Sequence, residues 1–227
     1  MLTLWVSYLS EVHFRDRITN NLLLLYTIAR TNELGTMDDT LKLQKIVFHS
    51  QRNLVKMGLK AFGYNFFRWE KGPFSAELNN DLTLLTHAGL IEPAWPLKLT
   101  ESGNKLLETS QEIFEINKRF MRYIEDVVRE KAPLDPDTIR EETYKLTIIL
   151  PRSHERMTIR DVPMGTLILF RTSDRKAKAI FSLPESWLAT LEIAFNEEVR
   201  ESLAKSYEDA VEGRGHEFRL CPQNTIG

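Results

Sequence analysis

Hydrophobic residues recur at helical spacing in two segments of the first quarter of the chain. In residues 16–31 one stripe is formed by Ile18, Leu22, Leu25 and Ala29, which predicts an amphipathic helix. In residues 37–58 a second stripe contains Leu43, Ile46, Val47 and Leu54, and is widened by Leu41 and Phe48. Asp38 or Asp39 near its start and Gly58 after its end mark the helix boundaries. So wide an apolar surface predicts a helix at the centre of a core.

Shorter elements follow. The aromatic run "YNFFRWE" lies between glycines and predicts a short strand. Ser75 is placed to cap a helix with Leu78, Leu82 and Leu85 on one stripe. "LKLT" predicts a second strand, and Thr100 begins a long predicted helix. This order is that of a winged-helix DNA reader, yet its reading helix carries Glu77, Asn79, Asn80 and Asp81, without Lys or Arg.

The pattern changes in the second half. Residues 132–137 contain two prolines, and a helix is predicted from Asp135 and Pro136 to about Leu150. "TLILFR" and "KAIFSL" predict a β-hairpin joined by "TSDRKA". Two helices follow, with Pro184 in the first turn of one and Asn196 capping the other. The predicted class is α+β, mainly α, with a winged-helix-like helical domain at 1–131, a linker and connecting helix at 132–151, and a hairpin with amphipathic helices at 152–220.

Composition limits the classes of partner. The formal net charge of the 227 residues is −2, so the chain as a whole lacks the basic footprint of a general nucleic-acid binder. A single cysteine, Cys221, excludes an internal disulfide framework and favours a reducing, cytoplasmic setting. The first residues do not match a signal peptide, and no apolar run reaches the length of a membrane span. We therefore expect a cytoplasmic protein without a membrane partner.

Catalytic and metal-binding patterns are not found in the sequence. The five histidines are scattered, without the paired spacing of a zinc site. Neither a phosphate-binding loop nor a dinucleotide-binding glycine motif is present, and no nucleophile elbow frames a serine. The expectation from sequence is a non-enzyme without metal or cofactor.

Two polar residues, Gln44 and Lys45, lie on the otherwise apolar second helix. They could extend along the edge of a packed helix with their polar ends in water, or they could hold the following strand or contact a partner. In the turn after that strand, Pro73 fixes the backbone and Phe74 packs the start of the next helix on the core.

"LKLQKIVFHSQ" followed by "YNFFRWEKGPFSAELNNDLTLLTHAGLI" resembles the SocA/Panacea-type domain and the related YwgA-like proteins. The likeness covers roughly residues 18–115. The resemblance implies a neutralising module of a toxin–antitoxin system that acts by binding a toxin. It assigns the family motif to Leu43, Gln44, Lys45, Phe48, Gly72, Pro73 and Phe74.

A second resemblance covers about 50 residues, from "TLILFR" to "VEGRG". It is to the hairpin and toxin-binding tail of Phd/YefM-type antitoxins, although "MTIRDVPMG" stands where that family has a helix. The matching positions are Leu188, Thr190, Leu191, Glu192, Ile193, Asn196, Glu198, Val199, Ser202, Leu203, Ser206, Asp209, Gly213 and Arg214. The predicted toxin-binding residues are Trp187, Leu188, Leu191, Phe195, Val199, Leu203 and Tyr207.

The tail also has the composition of a binding helix, since its aliphatic and aromatic residues recur every four positions amid many carboxylates. It could equally pack on its own domain with a solvated acidic face. The function expected is a type II-like antitoxin that neutralises a small basic, RelE/ParE-like protein toxin. One rival is a winged-helix regulator that binds operator DNA through Lys56, Lys60, Arg68 and Lys71; another is an adaptor that delivers a partner to a protease.

Overall fold

The computed structural model describes the backbone of residues 2–212, and side chains from Phe14 onward. Two long helices, α1 (Leu2–Leu34) and α2 (Thr40–Lys56), lie at the centre. As the apolar pattern predicted, α2 is buried along most of its length and contacts α1, α6, α7 and two strands. The side chain of Asp39 accepts a hydrogen bond from the Lys42 N–H and so begins α2. Gly58, at a positive φ of 74°, follows its end.

The other elements are short. The strands are β1 (Leu59–Lys60), β2 (Phe66–Trp69), β3 (Gly72–Phe74), β4 (Thr147–Ile149), β5 (Arg156–Thr158), β6 (Leu167–Leu169) and β7 (Ala179–Ile180). The remaining helices are α3 (Ala76–His87), α4 (Glu101–Thr109), α5 (Gln111–Ile116), α6 (Lys118–Lys131), α7 (Pro136–Tyr144), α8 (Glu185–Phe195) and α9 (Glu197–Val211). The predicted class, α+β and mainly α, is confirmed.

Strand pairing corrects the prediction of a hairpin between "TLILFR" and "KAIFSL". β6 pairs antiparallel with β2 in a sheet of order β3-β2-β6, whereas β7 pairs parallel with β1. A turn of 3-10 helix, Asp174–Lys176, separates the two strands. Its Asp174 carboxylate lies 2.5 Å from the buried Lys60 Nζ at the end of β1, and this ion pair holds the connection against the first half of the chain. The hairpin in this region is formed instead by β4 and β5.

Three further predicted elements have different bounds. The helix begun at Pro136 ends at Tyr144 rather than near Leu150, because residues 147–149 pair as β4. The long helix predicted from Thr100 is divided into α4, α5 and α6. The division before α6 lies at Asn117, whose amide exchanges two hydrogen bonds with the backbone of Ser182. "LKLT" contributes only one bridge, between Leu99 and Ile91.

One hydrophobic core extends from Ile18 to Phe195. It includes Ile148, Ile168 and Phe181 from the second half of the chain, and the Phe181 ring lies 5.8 Å from that of Phe120. The predicted boundaries at 131 and 151 therefore do not separate two cores. Among residues 2–212, no helix is long and apolar enough to cross a membrane.

Candidate functional site

The "KLQK" segment of α2 directs polar side chains into the interior, where each binds backbone groups of a neighbouring segment. Lys42 Nζ donates to the Ala132 carbonyl oxygen at 2.8 Å, and Lys45 Nζ donates to that of Pro73 at the same distance. Further along α2, the Gln51 amide exchanges two hydrogen bonds with the backbone of Tyr64. Because hydrogen-bonded buried polar groups restrict the segments that they join, α2 organises the surrounding loops.

Gln44 makes the most complete of these connections. Its Nε2 donates to the Ser75 carbonyl oxygen and to Asn79 Oδ1, both at 2.9 Å, and its Oε1 accepts from the Ser75 N–H at 2.9 Å. Both Gln44 and Lys45 are almost completely buried. Of the two alternatives left open by the sequence, the structure therefore shows that these residues hold the following strand and do not lie at a solvated edge.

The family-motif residues come together around this contact. Gln44, Lys45, Gly72, Pro73 and Phe74 border one cleft of about 220 Å³, while Leu43 and Phe48 face the core. Gly72 has φ of +94°, and a Cβ there would lie 3.2 Å from Lys45 Cε. The positive φ favours glycine at this position, and a Cβ would also require the Lys45 side chain to move by a few tenths of an ångström. Burial lowers the pKa of the Lys45 amine to about 7, against a smaller opposite effect of Asp39.

The polar face of α3 is bonded to its own protein. Glu77 accepts hydrogen bonds from the Asn65 N–H and from Arg171 Nη2, and Asn79 accepts from Gln44. Asp81 accepts from the Tyr64 hydroxyl at 2.8 Å, and burial raises the pKa of its carboxyl to about 6. Three of the four polar residues on the supposed reading face thus position loops within the fold.

The four cations proposed for DNA contact differ in exposure and in whether they already bind groups of the protein. Lys60 is buried between the carboxylates of Asp16 and Asp174. Arg68 donates to the Ile159 carbonyl oxygen and lies over the Tyr144 ring, with Arg160 also against that ring. Lys56 and Lys71 are exposed but border different clefts. Their positions give little support to a continuous phosphate-binding surface.

The two helices of the predicted tail have opposite environments. In α8, Leu191 and Phe195 are buried against α1, and Trp187 and Leu188 are half-buried on the same core. An ion pair between Arg15 and Glu185 joins the beginning of α8 to α1. For α8, packing on its own domain is the correct alternative, so Leu191 and Phe195 are not available as anchors for a partner.

No residue of α9 is buried. Asn196 caps the helix by accepting from the Val199 N–H, and α9 packs against α8. Its apolar residues recur every four positions and form one stripe, with exposed fractions of 48% for Leu203, 73% for Tyr207 and 69% for Val211. At 100° per residue the carboxylates of Glu197, Glu201, Glu208 and Glu212 fall on the far side of the helix.

Comparisons with known proteins give no assignment: no family model matches the sequence, and neither curated proteins nor solved structures provide a match. The two family resemblances consequently remain hypotheses based on the quoted motifs. Within the described residues, no group of three or more His, Cys, Asp or Glu side chains is placed to hold a metal ion.

The structure contains a second cleft that the sequence did not predict. It has a volume of about 390 Å³ and lies over α2, with Arg52, Lys56 and Arg156 on its lining. Its wall includes β4, in a segment where the sequence pattern predicts the end of a helix. The β-branched run "TII" at 147–149 was the available signal; the convergence of cations 104 positions apart in sequence was not foreseeable from a single chain.

Proposed function

We propose that this chain is a type II-like antitoxin, which neutralises a small basic, RelE/ParE-like toxin by direct binding through α9. The observation that carries the proposal is the exposed apolar stripe of α9. A surface helix in a finished monomer normally buries such a stripe. Here α8 takes that role, and α9 continues beyond it with its stripe uncovered.

Charge supports a basic partner. Residues 197–212 contain six carboxylates, Glu197, Glu198, Glu201, Glu208, Asp209 and Glu212, against Arg200 and Lys205, for a local formal charge of −4. In a helix-in-groove complex the apolar stripe fills the groove. The carboxylates on the far side of the helix do not enter the groove, but their charge attracts a basic partner and accelerates association. An RNA-cutting toxin needs such a basic surface to bind phosphate, so α9 would cover the surface on which the toxin acts.

The location of the buried residues refines the mechanism. Leu191 and Phe195 fix α8 on the body of the protein, and α8 in turn fixes the starting point of α9. We therefore assign partner contact to Val199, Leu203, Tyr207 and Val211, and positioning to Trp187, Leu188, Leu191 and Phe195.

The test is co-purification of the tagged full-length chain with a small basic protein from its native host. In one variant, Leu203→Ser and Tyr207→Ser remove the stripe. In the matched control, Glu201→Ser and Lys205→Ser introduce two serines on the polar face without changing net charge. We expect the stripe variant to lose the partner and its control to retain it. The partner alone should arrest growth, and co-expression of the wild-type chain should relieve the arrest.

Retention of the partner by the stripe variant would disprove α9 as the contact. A partner that is harmless when expressed alone would disprove the antitoxin assignment even if α9 binds it. Removal of residues from 197 onward is a suitable deletion, since it leaves α8 and the core intact. A longer deletion that also removes α8, ending the chain at Leu183, is not suitable. It would uncover the core surface against which Leu191 and Phe195 pack.

A further inference from the structure

The cleft of about 390 Å³ over α2 combines an apolar lining with an excess of positive charge. Val55 of α2 and Leu169 of β6 contribute apolar surface, and the buried Phe48 and Ile168 lie beneath them. Arg52, Lys56 and Arg156 contribute cations, and the lining contains no carboxylate. Among the described residues none of the three cations forms an ion pair. Burial lowers the pKa of the Arg52 side chain, and partial burial together with the nearby Arg52 charge lowers that of the Lys56 amine.

The β4 wall of the cleft is a strand edge with unused backbone groups. β4 and β5 pair with the register Ile148↔Met157, and the flanking bonds run from the Ile159 N–H to the Leu146 carbonyl oxygen and from the Leu150 N–H to that of Glu155. Hydrogen-bonded and non-hydrogen-bonded pairs alternate in an antiparallel ladder. The backbone groups of Thr147 and Ile149 therefore point away from β5.

In the described part of the chain, almost no hydrogen bonds are formed to these outward-pointing N–H and C=O groups. Arg52 Nη2 reaches the Thr147 carbonyl oxygen at 3.4 Å, and this is the single hydrogen bond found to them there. That contact places the outward edge of β4 on the Arg52 side, toward α2. The Ile149 side chain beside it is 64% exposed. β6, across the cleft, is also the last strand of its sheet. Unpaired edges of this kind are templates for an added strand.

We propose that the cleft binds an extended segment of a partner protein, rich in Glu or Asp and in aliphatic residues, which adds to the edge of β4. Backbone pairing with Thr147 and Ile149 supplies register. The carboxylates neutralise Arg52, Lys56 and Arg156, and alternate aliphatic side chains enter the apolar floor. The described acidic segment of this chain, α9, is helical. A second copy therefore offers no extended acidic strand from that part, and the occupant comes from another protein.

A nucleic acid is the weaker occupant. Phosphates would satisfy the cations, but they have no donors for the two outward carbonyl oxygens and no aliphatic groups for the floor. This site is separate from α9, which contributes no residue to the lining, and the inference is independent of the antitoxin proposal.

The experiment measures fluorescence anisotropy of a labelled peptide of alternating glutamate and valine, titrated with the full-length protein. Comparison probes are a lysine–valine peptide, the acidic peptide N-methylated at every residue so that neither edge can donate, and an oligothymidylate. We expect the acidic peptide to bind more tightly than all three. The charge variant K56Q/R156Q should weaken binding by about tenfold, because two charge-assisted contacts are lost. K118Q/R119Q, which removes two exposed cations from α6, should leave it unchanged.

Ile149→Pro tests the strand edge directly. The substitution removes an N–H that points into the cleft and leaves the hydrogen bonds to β5 in place. Proline is tolerated at such a position, because the missing N–H is on the unpaired edge of the strand. We expect at least about tenfold weaker binding than for the matched control Ile149→Val. Equal binding by the two variants, or by the N-methylated peptide, would overturn strand addition. Tighter binding of oligothymidylate that responds to K56Q/R156Q would replace the proposal with a nucleic-acid site. If circular dichroism shows Ile149→Pro to be misfolded, the N-methylated peptide decides.

Discussion

At the residue scale, Gln44 is the connection on which the turn after β3 depends. Replacing it by leucine leaves the buried Ser75 N–H and carbonyl oxygen without their partners. Each such group costs about 1–3 kcal/mol, so we expect Gln44→Leu to lower the free energy of unfolding by about 2–6 kcal/mol. Urea denaturation provides the measurement. The control is Gln111→Leu, on the exposed face of α5, which should change the free energy of unfolding by less than about 0.5 kcal/mol. An equally small change for Gln44→Leu would contradict the role assigned to Gln44.

Lys45 gives the protein a predictable dependence on pH. Its folded-state pKa of about 7 lies below the ordinary 10.5 because burial disfavours the charged amine. Between these pH values the unfolded chain binds a proton that the folded chain does not. The contribution of Lys45 to stability therefore increases as pH rises through this window, with a slope of at most about 1.4 kcal/mol per pH unit.

The comparison with Lys45→Met isolates this effect. The variant loses the hydrogen bond to the Pro73 carbonyl oxygen at every pH. This loss adds a pH-independent amount to the difference in unfolding free energy between wild type and variant. The difference in unfolding free energy between wild type and variant should therefore grow in favour of the wild type from pH 7 toward pH 10. A difference that is flat over this range would show that the amine is not desolvated in the folded state.

At the element scale, α8 and α9 are adjacent in sequence but differ in what their apolar residues do. Leu191 is completely buried, whereas Leu203 is about half exposed. Leu191→Ala should cost about 2–5 kcal/mol of stability, because it leaves a cavity in the core. Leu203→Ala should cost less than about 0.5 kcal/mol in the free protein. Thermal denaturation of the two variants separates the roles; equal losses would mean that α9 is also packed on the body.

The starts of four helices were predictable because their capping signals are local. Asp39, Ser75, Asp135 and Asn196 each accept the capping hydrogen bond that the sequence suggested. Strand partners were not predictable, since β1 pairs with a strand more than a hundred residues away. The burial of Lys45 was equally unforeseen, because lysine is rarely buried without a partner carboxylate, and here a backbone carbonyl takes that place.

At the scale of the whole molecule, the second half of the chain completes the structure of the first. β6 extends the sheet of β2 and β3, β7 pairs with β1, and α8 covers α1. The backbone of Ser182 also forms two hydrogen bonds with the side-chain amide of Asn117. These contacts join segments far apart in sequence, so neither half can lose the other without exposing core residues such as Leu59 and Phe66.

This arrangement predicts a single cooperative unfolding transition for the full chain, with the calorimetric and van't Hoff enthalpies equal. A fragment of residues 1–131 should show no cooperative transition, because β1 loses β7, β2 loses β6 and Phe120 loses the Phe181 ring. The control, residues 1–196, lacks α9 but retains the core, so its Tm should fall by no more than about 4 °C. Two separate transitions in the full chain, or independent folding of residues 1–131, would restore the division at residue 131 that the prolines had suggested.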